Sequence, residues 1–147
     1  MHVSYFYSNL EENNCMSYFS KTTENPRQAL YHKAHEIMQI SRHISDYLIP
    51  DLAVLNEKGL EDECIYFTGD IIRQSNSLIP NIKKAENEFF QEARTQYILA
   101  VGNLTDRLSR NCEKLEYANS NGREFVKLLK QEIKKFRKLQ KIWRLSL

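Results

Sequence analysis

Between residues 30 and 55 the apolar side chains return every three or four positions. Leu30, Ala34, Ile37, Ile44, Leu48, Leu52 and Leu55, with the small Ser41 between them, define one side of a helix with 3.6 residues per turn. A stripe of that length must be covered by another apolar stripe, and the chain supplies three more. Only four Gly and three Pro interrupt 147 residues, so a few long elements are expected rather than many short ones. No stretch alternates with the period of a strand, and there is no internal repeat.

Helices are predicted over about 26–56, 61–86, 88–118 and 121–145. Asn25-Pro26 opens the first, as an N-cap residue followed by Pro in the first turn. Pro50 lies within that pattern. The apolar phase continues past it, which favours a kink over a stop. The second helix begins near Glu61, with Ile65, Ile72, Ile79 and Ile82 on its buried side and Pro80 as a second kink. Gly69 in its interior is read as permitting a close helix–helix approach. The third presents Phe90, Ala93, Tyr97, Ala100, Leu104, Leu108 and Leu115. Asn121 caps the fourth, with Glu124 three residues on as in a capping box. Four such helices joined by short turns bury their stripes only against each other. The fold class is therefore all-α, an antiparallel up-down four-helix bundle over 26–147 preceded by an irregular aromatic arm over 1–25. That arm carries Tyr5, Phe6, Tyr7, Tyr18 and Phe19, which suit either a free tail or an anchor on a neighbouring subunit.

The fourth helix is unusual in its charge. Lys127, Lys130, Lys134, Arg137, Lys141 and Arg144 step by three and four, while Phe125, Leu129, Ile133, Phe136 and Trp143 take the other side. From Ser120 onward there are nine Lys and Arg against two Glu, a net of +7 in a chain whose total is +2. The remaining 119 residues therefore carry −5. A cationic rod of five turns matches a polyphosphate backbone, where each neutralised phosphate releases counterions. It also suits a solubilising surface. Trp143 is placed either in the core at the bundle end or against a base.

Other chemistry is thinly represented. His32 and His35, with Glu36 beside them, have metal-ligand spacing on one helix but no third ligand. The Glu-x-x-His pairs of a di-iron centre are absent, so no metal and no cofactor is expected. No phosphate loop or nucleophile elbow occurs, which leaves a non-enzymatic role. Cys15, Cys64 and Cys112 are odd in number and widely spaced, as in free thiols of a reducing cytoplasm. No apolar run reaches membrane-span length, and Met1 to Leu10 lacks the pattern of a signal peptide.

Arg73-Gln-Ser-Asn-Ser-Leu-Ile-Pro-Asn-Ile-Lys-Lys-Ala-Glu86 resembles the second-helix motif of a bacterial family. These are the small four-helix-bundle proteins of ribosomal RNA intervening sequences, related to the accessory variability determinant of diversity-generating retroelements. Arg73, Ser77, Asn81 and Ile82 match without a gap, and Ala100 to Leu108 resembles the family's third helix, so the likeness covers about residues 28–118. Pro80 stands one place later than is usual in the family, and Lys84 replaces its acidic residue. The basic ending is closest to the retroelement branch. The resemblance implies a homopentamer that binds RNA or DNA through phosphates and partners a reverse transcriptase. Asn81, beside Pro80, is expected to bond the carbonyl that the proline leaves unpaired.

Overall fold

The stripe of the first helix folds as read. Asn25 Oδ1 accepts the Arg27 N–H at 3.0 Å and opens α1 (Pro26–Leu52), where Pro26 occupies a position whose N–H has no helical partner. In the computed structural model, which describes residues 25–53, 57–59, 62–118, 120 and 122–147, three further helices follow. They are α2 (Cys64–Asn87), α3 (Gln91–Leu115) and α4 (Arg123–Ser146), and no strand occurs among the described residues. The aromatic arm over 1–24 lies outside the described residues, as do Leu55, Glu61 and the proposed cap Asn121.

Each helix packs on two others in a ring, α1 on α2 and α4, and α3 on α2 and α4. The seams run antiparallel. Lys83 near the end of α2 sits 5.3 Å from the Tyr31 ring near the start of α1. Lys114 at the end of α3 lies 4.5 Å from the Phe67 ring at the start of α2. Tyr47, late in α1, stacks on Phe125, early in α4, with ring centroids 5.0 Å apart. Asp106 of α3 pairs with Arg137 of α4 at 2.8 Å, and Glu116, just past the end of α3, pairs with Lys130 at 2.9 Å, so the last seam runs antiparallel too.

Every expected core position of α1 from Leu30 to Leu52 is buried. The faces of α2 and α3 are turned in part from the expected ones, with Ile82, Leu108 and Leu115 buried as expected. The core residues of α2 are Thr68, Ile71, Ser75, Leu78, Ile82 and Ala85, while Ile65, Ile72 and Ile79 sit at its flanks. In α3 they are Ile98, Val101, Thr105, Leu108, Asn111, Cys112 and Leu115, with Ala93, Tyr97, Ala100 and Leu104 half-buried. The cause is the same in both helices. Thr68 Oγ1 bonds Cys64 O at 2.8 Å, Ser75 Oγ bonds Ile72 O at 3.0 Å and Thr105 Oγ1 bonds Val101 O at 2.7 Å. A hydroxyl satisfied by its own helix enters the core with little penalty, so polar letters hide core positions. Phe90 does not join the α3 stripe. It holds the extended cap position before the helix and is 70% exposed.

The helix ends also differ from the expected bounds. α1 ends at Leu52 and α2 begins at Cys64, while both helices continue past Pro50 and Pro80 as expected. Both prolines are exposed, and the carbonyls they leave unpaired belong to Asp46 and Asn76, which are exposed too and within reach of water. The α2 start is capped by Asp62, whose Oδ1 accepts the Cys64 N–H at 2.8 Å. At the start of α4, Gly122 takes the cap position. Ser120 Oγ accepts the Gly122 N–H at 3.0 Å and donates to Asp51 Oδ2 at 2.6 Å, tying the turn to the end of α1.

Gly122 is the glycine that a close approach requires. A Cβ there would overlap Leu48 Cδ1 and stand 3.2 Å from Tyr47 Cβ. Gly69 is not. A Cβ at that position would meet only the Arg73 guanidinium of the same helix, at 3.7 Å, so no helix closes on it. Gly69→Ala is accordingly expected to stabilise the bundle by about 0.5–1 kcal/mol. A thermal melt showing no gain, or a loss, would contradict the open surroundings of Gly69.

Candidate nucleic-acid interface

α4 buries Val126, Leu129, Ile133, Phe136 and Trp143, and Phe125 lies half-buried on the α1 seam beside His43 and Tyr47. Trp143 is fully buried, which places it in the core and not against a base. Its Nε1–H donates to Glu86 Oε1 at 3.0 Å, reaching from α4 to the diagonally opposite α2.

One carboxylate of this helix is turned inward. Glu132 is 7% exposed and accepts from Lys33 of α1 at 2.7 Å and from Lys135 at 2.9 Å. Burial pushes the Glu132 carboxyl up, but the two ammonium groups more than reverse this, and it is held below the ordinary range. Burial likewise lowers Lys33, while Glu132 and Glu36 overcome that and hold it above its usual value. A depressed acid contributes stability that is present above its unfolded pKa and lost as pH falls through the folded one. Glu132→Gln is therefore expected to destabilise by about 1–3 kcal/mol near neutral pH, less than a fully buried pair because Lys33 keeps some solvent. The difference from the unsubstituted protein should shrink as pH drops below about 4.5. Parallel urea titrations at pH 7 and pH 3.5 that gave equal differences would exclude the pairing.

The six cations named from the sequence divide into two groups. Lys130 donates to Glu116 at 2.9 Å, and this hydrogen bond leads the causes that raise its pKa. Arg137 pairs with Asp106 at 2.8 Å, and Lys127 approaches Glu124 of its own helix at 3.4 Å. These three are partly neutralised. Lys134, Lys141 and Arg144 are exposed and have no carboxylate partner among the described residues. Arg123 and Lys138, outside those six, are exposed and likewise have no carboxylate partner among the described residues. Their signal was the spacing itself, since Lys138 follows Lys134 by four and precedes Lys141 by three. Lys134, Lys138, Lys141 and Arg144 thus form one uncompensated cluster over about 15 Å of helix at 1.5 Å per residue.

The motif residues of α2 lie elsewhere. Ile82 is core and Pro80 is exposed. Arg73 pairs with Asp70 one turn earlier. Ser77 Oγ donates to Arg73 O at 2.9 Å, and Asn81 Nδ2 donates to Ser77 O at 2.8 Å. Asn81 therefore does not reach the carbonyl freed by Pro80, which is that of Asn76. Helical geometry directs its amide to the residue four before it.

His32, His35 and Glu36 are exposed on α1, and Glu36 is engaged by Lys33 at 2.7 Å. Among the described residues no three His, Cys, Asp or Glu are grouped to hold a metal ion. Burial raises the Cys112 thiol to about 12 and the Cys64 thiol to about 11, so both are protonated at neutral pH. Cys64 and Cys112 are free, and Cys15 lies outside the described residues. Among the described residues no helix is long and apolar enough to cross a membrane.

Fold and surface together define the class, a four-helix bundle whose last helix carries a run of cations, part of which has no carboxylate partner among the described residues. Comparison with protein-family models, with curated proteins and with solved structures finds no match for this chain.

Proposed function

We propose that the protein is a non-enzymatic accessory subunit that binds RNA or DNA through phosphates, in the cytoplasm. The observation that carries this reading is the cluster of Lys134, Lys138, Lys141 and Arg144, exposed and without carboxylate partners among the described residues. Assembly as a pentamer and service to a reverse transcriptase extend the reading on the motif around Arg73, Ser77, Asn81 and Ile82. If the four cations neutralise four phosphates, the slope of log affinity on log salt is about −3.6 for a duplex and about −2.8 for a single strand. Affinity should then fall roughly 50- to 150-fold between about 50 and 200 mM salt. A fluorescence-anisotropy titration that stays flat over that range rejects the proposal.

A protein-interaction module is the second reading, favoured by a separate observation. Phe89, Phe90 and Leu145, which are 87%, 70% and 89% exposed, offer large apolar side chains that a partner could cover. Recovery of one protein partner after nuclease treatment, with no nucleic-acid shift, would select this reading instead.

A further inference from the structure

The furrow between α2 and α3 is lined by polar groups along much of its length. From Asp70 to Asn81 along α2 it runs about 16 Å at 1.5 Å per residue. Arg107 lines it throughout, facing Asp70 and Gln74 at one end and Ser77 and Asn81 at the other. Arg110 and Lys114 continue it toward the end of α3. Arg73 is matched by Asp70, but Arg107 and Arg110 have no carboxylate partner among the described residues.

The floor has a different character from the rim. The Ser77 hydroxyl proton and one Asn81 amide proton are committed to backbone carbonyls. What remains is acceptor capacity on Ser77 Oγ and Asn81 Oδ1 and the second Asn81 Nδ2 proton as a donor. Asn111 Nδ2 donates to Gln74 Oε1 at 3.0 Å, which leaves an acceptor and one donor on Asn111 and donors on Gln74. A bare phosphate calls for donors alone, and inward acceptors would repel it. A nucleobase edge offers donors and acceptors together, while its flanking phosphates call for guanidinium groups. The furrow meets both requirements. It lies between packed helices whose axes are typically about 8–10 Å apart, too narrow for a duplex, and paired bases have their Watson–Crick edges occupied.

We propose that the α2–α3 furrow is a second nucleic-acid contact, selective for an unpaired strand, with Arg107 and Arg110 on phosphates and Ser77, Asn81 and Asn111 facing base edges. This rests on the reading of the protein as a nucleic-acid binder and adds strand selectivity to it. The test compares a 12-nucleotide single-stranded RNA with its duplex in anisotropy titrations at two salt concentrations. The proteins are the full chain, Arg107→Glu/Arg110→Glu, and Lys134→Glu/Lys138→Glu/Lys141→Glu, each checked for an unchanged melt. The furrow variant should lose about tenfold or more on the single strand and less than about twofold on the duplex. Its single-strand salt slope should drop by about 1.4, the value for two phosphates. The α4 variant should weaken both ligands. Equal losses on both ligands, or none on the single strand, overturn the furrow while leaving α4 as the binding face. An unsubstituted protein that binds neither ligand overturns the furrow together with the reading it rests on.

Discussion

Replacing Trp143 with Ala is expected to destabilise the bundle by about 3–5 kcal/mol, the range for truncating a fully buried large aromatic. Two physical losses combine. The indole is completely enclosed at the end of the bundle, so its removal leaves a cavity that packed helices close only in part. Its N–H also joins α4 to Glu86 of α2, a helix that α4 does not otherwise approach. Against a domain stability of about 5–15 kcal/mol this is a large fraction. The melting midpoint should fall by roughly 10–15 °C. Trp143→Phe separates the two losses, because it keeps most of the volume and drops the hydrogen bond, at about 1–2 kcal/mol. A Trp143→Ala protein that melts within 2 °C of the original would show that this end of the bundle is not packed as described.

The second large effect concerns binding. Lys134→Glu, Lys138→Glu and Lys141→Glu together should lower affinity for nucleic acid by about 3 kcal/mol or more, roughly 150-fold at 100 mM salt. Each reversal exchanges an attraction of about 1 kcal/mol near a phosphate for a repulsion of similar size, reduced by screening. Stability should be unchanged or slightly raised, since these lysines stand three, four and seven residues apart and repel each other. Reversal of Lys130 and Arg137 should act differently. Both are engaged by Glu116 and Asp106, so their loss weakens the α3–α4 seam as well as any ligand contact. Equal effects of the two sets on binding, with equal melts, would erase the distinction between paired and unpaired cations.

The unequal legibility of the chain has a physical basis. α1 could be read position by position because its core is nearly all aliphatic, and the one exception, Ser41, bonds Ile37 O at 2.8 Å. The same device in α2 and α3 places Thr68, Ser75 and Thr105 in the core, and hydropathy counts those letters as surface. Counting only apolar letters turned both faces toward Ile72 and Leu104. The basic side of α4 was visible because spacing within one helix is fixed by geometry. Which of its cations remain unneutralised was not visible. Glu116 and Asp106 precede their partners by 14 and 31 residues, and only the fold brings them together. Glu132 divides its carboxylate between Lys135 of its own helix and Lys33 across the α1 seam, a partner 99 residues away in sequence.

The positions of those carboxylates grade the potential along α4. Glu124, Glu116 and Asp106 engage Lys127, Lys130 and Arg137, and Glu132 holds Lys135. Beyond Arg137 the cations Lys138, Lys141 and Arg144 meet no carboxylate among the described residues. The positive charge of α4 is therefore least matched toward one pole of the molecule, the pole where α1 begins and the turn between α2 and α3 is exposed. On the nucleic-acid reading proposed above, an oligomer too short to cover the whole rod is expected to settle there first, and a longer one to be held more firmly at that end than at the other.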